Sequence, residues 1–368
     1  MDDPLDTMVL SAGALWPDPL LSLSGQRVDD AAQWPRRRRE IIDRLLPLVY
    51  GALPSAPAST RLVCLHDAPL RRWPGARLLT CRVEPDAMPG FLLRLFMPDA
   101  TGPLPVVVSG DGCWHYADDA VLALVLSRGY GFAEFNRVEI APDPGPLSSS
   151  RPLRVPQAKA RHGTLAAWAW GLHRVVDVLC TLDGIDAQAI VVVGHSRGGK
   201  AALLAGATDE RIALTSANNS GAGGAGSWRH QGPGAESLGD LMREFGHWFD
   251  PGLQAYVGRE QELPFDQHLL KALIAPRALL TTEALDDRWA NPQGSWQSHR
   301  AAQCVFELLG AAGRSDIVFR PGGHEHRLAD WQCLLDFGDA WLRGQPQRRP
   351  VSADPFPGLP PPVFGPAA

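Results

Sequence analysis

The chain has 368 residues, 45% hydrophobic and 20% charged, with a formal net charge of −5. Such totals fit one large globular core with appendages and exclude a disordered or fibrous chain. The mild acidity gives nucleic acid no basic surface to bind, and no apolar run reaches the ~18 residues of a membrane span.

Residues 1–58 read as a leader whose helix, Ala31–Val49, sets charged Arg36–Arg39 beside an apolar stripe of Ile41, Ile42, Leu45 and Leu46 that packs on the core. Strands are predicted at Arg61–Leu65, Arg77–Val83 and Phe91–Met97. Val106–Ser109 is a buried strand with Gly110-Asp111-Gly112 as its exit turn. A helix Ala120–Ser127, a strand Tyr130–Phe135 and a helix Gly163–Thr181 follow. Ala189–Val193 is the strongest strand, and Lys200–Ala207 the helix behind it. Ile212–Ser216, Arg277–Thr282 and Asp316–Phe319 complete the strands, with a helix Ser298–Leu309 between the last two. Strands alternating with helices imply an α/β fold, a three-layer sandwich around a mostly parallel central sheet. It occupies residues 59–343. Residues 344–368 are too proline-rich for regular structure and form an extended or disordered tail.

Six scattered cysteines without a CxxC pair argue against a zinc or redox motif. Cys64 and Cys81 flank a predicted hairpin, and buried free thiols are expected there rather than a disulfide. Met1-Asp2-Asp3 is not followed by the basic and apolar segments of a secretory signal. The cytoplasm is therefore the expected compartment for the chain as it stands, with export if the natural chain is longer. Only Lys159, Lys200 and Lys271 are lysines among 35 basic residues.

The run Gly194-His195-Ser196-Arg197-Gly198 lies between the strongest strand and a helix. That setting is the nucleophile elbow of α/β-hydrolases, where flanking glycines remove side chains that would clash in a strained turn. Serine at the start of a helix also meets unsatisfied N–H groups that favour a developing oxyanion. Ser196 is therefore the candidate nucleophile, and it needs a base held by an acid, in the chain order Ser, acid, His. Of the later histidines only His324 and His326 follow a final strand. Gly322 and Gly323 allow close approach to the elbow, which favours His324 as the base. A metal at the His-x-His pair would need a third ligand at suitable spacing, and none is present, so no metal and no cofactor are expected. The acid is expected in the loop Glu283–Trp289, where Glu283, Asp286 and Asp287 compete and pattern alone does not choose. Gly221–Gly226 fits G-x-G-x-x-G, but the following Ser-Trp-Arg-His-Gln-Gly-Pro cannot open a helix, so the run reads as a loop of the site.

Several blocks together resemble the glucuronoyl esterases, carbohydrate esterase family fifteen. They are Ala133-Glu134-Phe135-Asn136-Arg137, Ala141-Pro142-Asp143, the elbow extended to Lys200, Asn218-Asn219-Ser220-Gly221, Gly223-Gly224-Ala225, His247-Trp248-Phe249, Trp289-Ala290-Asn291-Pro292 and Gly322-Gly323-His324. The resemblance implies hydrolysis of esters that join 4-O-methyl-glucuronic acid on xylan to lignin alcohols, so the expected partner is a small-molecule or glucuronoxylan-derived ester. It also implies that Arg197 helps bind the oxyanion and that Lys200, Glu236 and Trp289 meet the sugar hydroxyls. Many relatives carry the triad acid as a glutamate where this chain has Asn219. An amide cannot balance an imidazolium as a carboxylate does, so the resemblance moves the acid to Asp287, with Asp286 second.

Overall fold

The computed structural model describes residues 15–144, 162–346 and 354–365; Met1–Asp3, Lys159 and part of the proline-rich tail lie outside them. The leader contains β1 (Trp16–Pro17) and a helical run over residues 31–50 that includes α1 (Trp34–Glu40) and α2 (Pro47–Tyr50). Between the helices is a π turn at Ile41–Leu45, where the Leu46 N–H reaches back to the Ile41 carbonyl at 2.9 Å. Pro47 has no N–H with which to continue an α ladder, and Ile41, Leu45, Leu46, Val49 and Tyr50 all end up buried.

Antiparallel strands β2 (Thr60–Pro69), β3 (Arg77–Pro85) and β4 (Phe91–Met97) come next. Cys64 and Cys81 face each other across β2 and β3 as free thiols, one exposed and one buried. The expected burial of both is corrected, because β2 is the edge strand of the sheet. Strands and helices then alternate: β5 (Leu104–Ser109), α3 (Asp119–Ser127), β6 (Gly131–Phe135), α4 (Thr164–Leu179), β7 (Ile185–His195), α5 (Arg197–Thr208) and β8 (Ile212–Asn218). After α6 (Leu238–Phe245) and α7 (Gln267–Ala272) come β9 (Ala278–Ala284), α8 (Pro292–Leu308), β10 (Ser315–Arg320), α9 (Leu328–Arg343) and a short β11 (Phe364–Gly365). Helices α6, α7 and α9 have no counterpart in the sequence expectation, and α8 begins at Pro292 rather than Ser298.

One nine-stranded sheet has the order β10-β9-β8-β7-β5-β6-β4-β3-β2, with β5 to β10 parallel. Period-two alternation sends Val106, Val108, Ile190 and Val192 to one face, against Trp168 and Leu172 of α4 and Leu203 of α5. Val107, Val191 and Val193 face the other way, against Val125 of α3 and Leu334 of α9. This is the three-layer arrangement that the alternation predicts, and both faces of β7 are apolar because both are covered.

Leader and tail meet on the surface of this sandwich. β1 pairs in parallel with β11, and Gln297 of α8 donates to the Pro360 carbonyl at 2.8 Å. His268 of α7 ties the leader down by donating Nε2–H to the Pro17 carbonyl at 2.7 Å. Its Nδ1 is buried without a partner, so burial pushes the imidazole down to about 4.

The elbow connects β7 to α5. Ser196 has φ 55° and ψ −124°, a left-handed conformation that a side chain rarely adopts. A Cβ on Gly194 would overlap the Gly198 carbonyl, and one on Gly198 would overlap the Asp111 carboxylate. The two glycines of the motif are thus required by contact.

Two outcomes follow from these contacts. His268 binds a proton more weakly folded than unfolded, so stability falls as pH drops from about 6.5 towards 4. Between pH 7 and 5 the wild type should lose roughly 2 kcal/mol more than His268→Gln in urea unfolding, at ~1.4 kcal/mol per pH unit. Gly198→Ala should destabilise the fold by about 2–4 kcal/mol through overpacking and cut esterase activity, whereas Gly102→Ala, with no atom within 4 Å of the added Cβ, should leave both unchanged.

Candidate active site

Three loops at the carboxyl edge of the sheet converge on Ser196. The turn after β7 presents its hydroxyl, which meets His324 Nε2 at 3.0 Å. His324 comes from the loop between β10 and α9, and its Nδ1 donates to Asp287 Oδ2 at 2.5 Å. Asp287 comes from the loop after β9 and its side chain is 6% exposed, while that of His324 is 44% exposed. The imidazole is therefore open to a substrate on one edge and held on the other.

The two other acids considered for that loop do something else. Asp286 accepts the Gly322 N–H at 2.7 Å, and its own N–H returns to the Gly322 carbonyl at 3.2 Å. This clasps the histidine loop to the acid loop. Glu283 is fully buried inside β9; burial pushes it up to about 8, with Lys271 opposing. Asn219, at φ 43°, makes its side-chain hydrogen bonds elsewhere than to His324. Its Oδ1 accepts the Ala284 N–H at 2.7 Å and its Nδ2 reaches the Glu325 carbonyl at 3.4 Å, so it joins the ends of β8 and β9 to the histidine loop.

Arg197 opens α5, where first-turn N–H groups have no partner within the helix. Its guanidinium pairs with Asp143 at 2.7 Å and lies over the rings of Trp248 and Phe245 at 4.8 and 5.2 Å. Asp143 also accepts from His247 Nε2 and Trp248 Nε1, each at 2.9 Å. Burial alone would raise that carboxyl, but these donors more than offset it and hold it well below the usual range.

Lys200, one turn beyond the serine, pairs with Glu236 at 2.8 Å and donates to the Ala222 carbonyl at 2.5 Å. Both side chains of the pair are nearly buried, at 3% and 6% exposed. Burial pushes Lys200 down and Glu236 up, each opposed by the other's charge. The Glu236 N–H donates to the Trp289 carbonyl at 3.0 Å, while the Trp289 ring is 46% exposed. Lys200 and Glu236 thus form a buried charged pair that Trp289 joins through its backbone carbonyl, with the Trp248 ring 5.7 Å from Lys200 Nζ. The 221–226 run is a loop, as expected, and Gly221 backs directly onto Glu236.

Several residues that position the site have roles that the sequence did not assign them. Asp111 accepts the His195 N–H at 2.7 Å and pairs with Arg137. Asn218 Oδ1 accepts a hydrogen bond from His195 Nδ1–H at 2.6 Å, and His326 stacks between His195 and Trp331, with centroids at 5.6 and 4.7 Å. A cleft of about 220 Å³ opens beside Ser196 and His324, walled by the β5 and β6 exit loops, the start of α3, and Trp331 of α9. Among the described residues no cluster of three histidine, cysteine, aspartate or glutamate side chains is arranged to hold a metal ion.

Comparison with known proteins places this geometry. A family model described as "Glucuronyl esterase, fungi" matches residues 86–310. A carbohydrate esterase of an unknown prokaryotic organism is 30% identical, over 89% of this chain and 90% of its own. The 4-O-methyl-glucuronoyl methylesterase of Podospora anserina is 33% identical, over 84% of this chain and 63% of that one. Among solved structures, a carbohydrate esterase family 15 glucuronoyl esterase from Caldicellulosiruptor kristjansonii superposes with a TM-score of 0.78 at 31% identity, covering 93% of this chain and 94% of that one. With the elbow, the sheet order and these likenesses in agreement, the chain belongs to the glucuronoyl esterase family.

Proposed function

We propose that this protein hydrolyses esters of 4-O-methyl-glucuronic acid through an acyl-enzyme on Ser196. The observation that carries the reading is the relay from Ser196 Oγ to His324 to Asp287 next to the buried Lys200–Glu236 pair. His324 Nε2 takes the serine proton as Oγ attacks the ester carbonyl. Asp287 holds the tautomer and balances the imidazolium. The oxyanion meets the backbone N–H and guanidinium of Arg197, which Asp143 fixes in place. His324 then passes its proton to the departing alcohol oxygen, and a water activated by the same imidazole releases the glucuronate. Lys200, Glu236 and Trp289 support a sugar subsite, because a desolvated donor–acceptor pair offers both halves of a hydroxyl's hydrogen bonding beside a ring on which a sugar can stack.

Turnover of methyl glucuronate ester, with acetylated xylan left intact, is the expected result. Loss of nucleophile or base in Ser196→Ala or His324→Ala should lower kcat by roughly 10⁴–10⁶. Asp287→Asn should cost on the order of 10²–10⁴, whereas Asn219→Ala should reduce stability more than kcat. Equal kcat for Asp287→Asn and wild type would refute the assigned acid.

Lys200→Ala should lower kcat/KM for the glucuronate ester roughly ten- to hundredfold more than for p-nitrophenyl acetate, which has no sugar hydroxyls. It should also lose about 3–5 kcal/mol of stability, because Glu236 is left buried and unpaired. Equal kinetic losses on both esters would make the lysine purely structural.

A further inference from the structure

Far from the active site, two nucleophilic side chains stand opposite each other at the edge of the sheet. Cys64 on β2 and Cys81 on β3 are register partners, so their side chains leave the same face. Directly opposed residues of an antiparallel pair have Cα atoms about 4.5–5.5 Å apart, inside the roughly 4.4–6.8 Å that a disulfide spans. Their Cβ atoms, at about 4.5–5.5 Å, need to close by roughly an ångström to reach the ~3.8 Å of a disulfide. β2 is free to give that ångström. It ends the sheet order, and its register shifts between Cys64 and His66, an irregularity that locally disrupts the ladder. β3, in contrast, is held on both sides, by β2 and by β4.

The two thiols differ in reach. Cys64 is exposed, while Cys81 is 0% exposed. Burial pushes the Cys81 thiol up to about 12, and the Cys64 thiol beside it adds to the rise. A reagent in solution therefore meets Cys64 first, and reaches Cys81 only through it. The other four cysteines lie on separate segments, none of them in a strand. Around the pair the β2–β3 hairpin is held by exposed contacts. Arg61 meets Glu84 at 2.9 Å and Arg77 meets Asp67 at 2.7 Å, with the two arginines 73% and 52% exposed. Such pairs contribute little and are screened by salt.

We propose that Cys64 and Cys81 are a dithiol site for small-molecule disulfides, which convert it to a cross-strand disulfide that locks β2 onto the sheet. The Cys64 thiolate attacks one sulfur of the reagent, breaks its S–S bond, releases one thiol and leaves a mixed disulfide on β2. The Cys81 thiol then gives its proton to water and attacks Cys64 Sγ, expelling the second thiol. Two protein thiols are oxidised, and one reagent disulfide is reduced to two thiols. Burial resists loss of the Cys81 proton, so the second step is the slow one and speeds up as pH rises. The bond closes a loop of sixteen residues, 65–80. It stands four strands from β7 in the sheet order, about 19 Å away at ~4.8 Å per strand. It therefore acts on stability and not on the chemistry at Ser196, and it does not depend on the esterase reading.

Glutathione disulfide, added to the whole protein, tests the site. Peptide mass mapping should show Cys64 joined to Cys81, with a glutathione adduct on Cys64 as the intermediate. That adduct should decay at least tenfold faster at pH 9 than at pH 7. Oxidation should raise the thermal midpoint by about 4 °C, reversibly with dithiothreitol, and leave esterase kcat/KM at room temperature unchanged. Cys64→Ser, altered only at an exposed position, should fold and show no shift of midpoint with the same reagent. A Cys64 left unreacted after prolonged exposure overturns the site. An adduct that persists at pH 9, or an equal shift of midpoint in Cys64→Ser, overturns the pairing. A disulfide that forms without raising the midpoint overturns the lock on β2, and a changed kcat/KM overturns its separation from the chemistry.

Discussion

Ser196 is held at a φ that costs a residue with a side chain about 1–2 kcal/mol, and the neighbouring structure is arranged to keep it there. The Ser196 N–H is fixed to the Asn218 carbonyl at 2.9 Å, and the Lys200 N–H closes the first turn of α5 on the Ser196 carbonyl at 3.1 Å. From the other side, Asp111 grips the His195 N–H and is itself gripped by Arg137, whose guanidinium lies 4.8 Å over the Trp168 ring. An ion pair as enclosed as this one, with side chains 5% and 16% exposed, gains little net stability because desolvation offsets the attraction. Its effect is positional: the β5 exit loop, the elbow and α4 are fixed to one another, and the hydroxyl points out of the sheet at a constant place.

From that fixed point the relocated acid makes physical sense. Position 219 lies where it can span the ends of β8 and β9 and the histidine loop, a place that demands both an acceptor and a donor. The Ala284 N–H needs an acceptor, and the Glu325 carbonyl, which also accepts from Arg320, takes Asn219 as a second donor at 3.4 Å. An amide offers both, and a carboxylate only the first. Asparagine therefore suits a chain whose acid comes from the loop after β9, and Asp286 completes the arrangement by clasping Gly322. The two adjacent aspartates divide the work, one on the imidazole and one on the backbone of its loop.

What could be read in the sequence was what depends on local pattern. The apolar runs of β5 and β7, the alternation of β4 and the strand–turn–helix setting of the elbow all repeat over a few residues, and each fixes its element. Helix α8 was locally legible too: Asn291 caps it and Pro292 is its first residue, a start signal that expecting it at Ser298 overlooks. In α9, the apolar positions Trp331, Leu334, Leu335 and Phe337 and the left-handed Gly344 at its end are likewise a helix pattern left unread. The supports of the site are another matter. Asp143 meets Arg197 across 54 residues, and Asp111 meets His195 across 84. No spacing rule connects such partners, since they are brought together only by the order of the strands. The family resemblance pointed to Lys200, Glu236 and Trp289 as substrate contacts, yet it gave no sign that the first two are almost enclosed.

That enclosure bears on the proposed sugar subsite. Two charges removed from water repay their desolvation poorly, so Lys200 and Glu236 are an expensive way to hold a loop. In the proposed subsite they form a rigid, nearly enclosed polar surface on which a hydroxyl gains a strong hydrogen bond without having to order a mobile side chain. Gly221, at φ 63°, is packed so tightly against the Glu236 carboxylate that no side chain would fit between them. Lys271 shows a related economy deeper in the fold. It is fully buried, donates to the Ser295 carbonyl at 3.0 Å and to Ser298 Oγ at 2.8 Å, and is pushed down to about 7 by burial, with Glu283 opposing. Glu283 lies four residues before Asp287 on the same outgoing chain. Two of the three lysines are therefore buried, one paired with Glu236 in the proposed sugar subsite and one bonded to α8 within reach of the Glu283 charge on β9. The fold also encloses guanidinium groups, those of Arg37, Arg137 and Arg229 among them, so what sets Lys200 and Lys271 apart is a compact ammonium whose charge burial can push down.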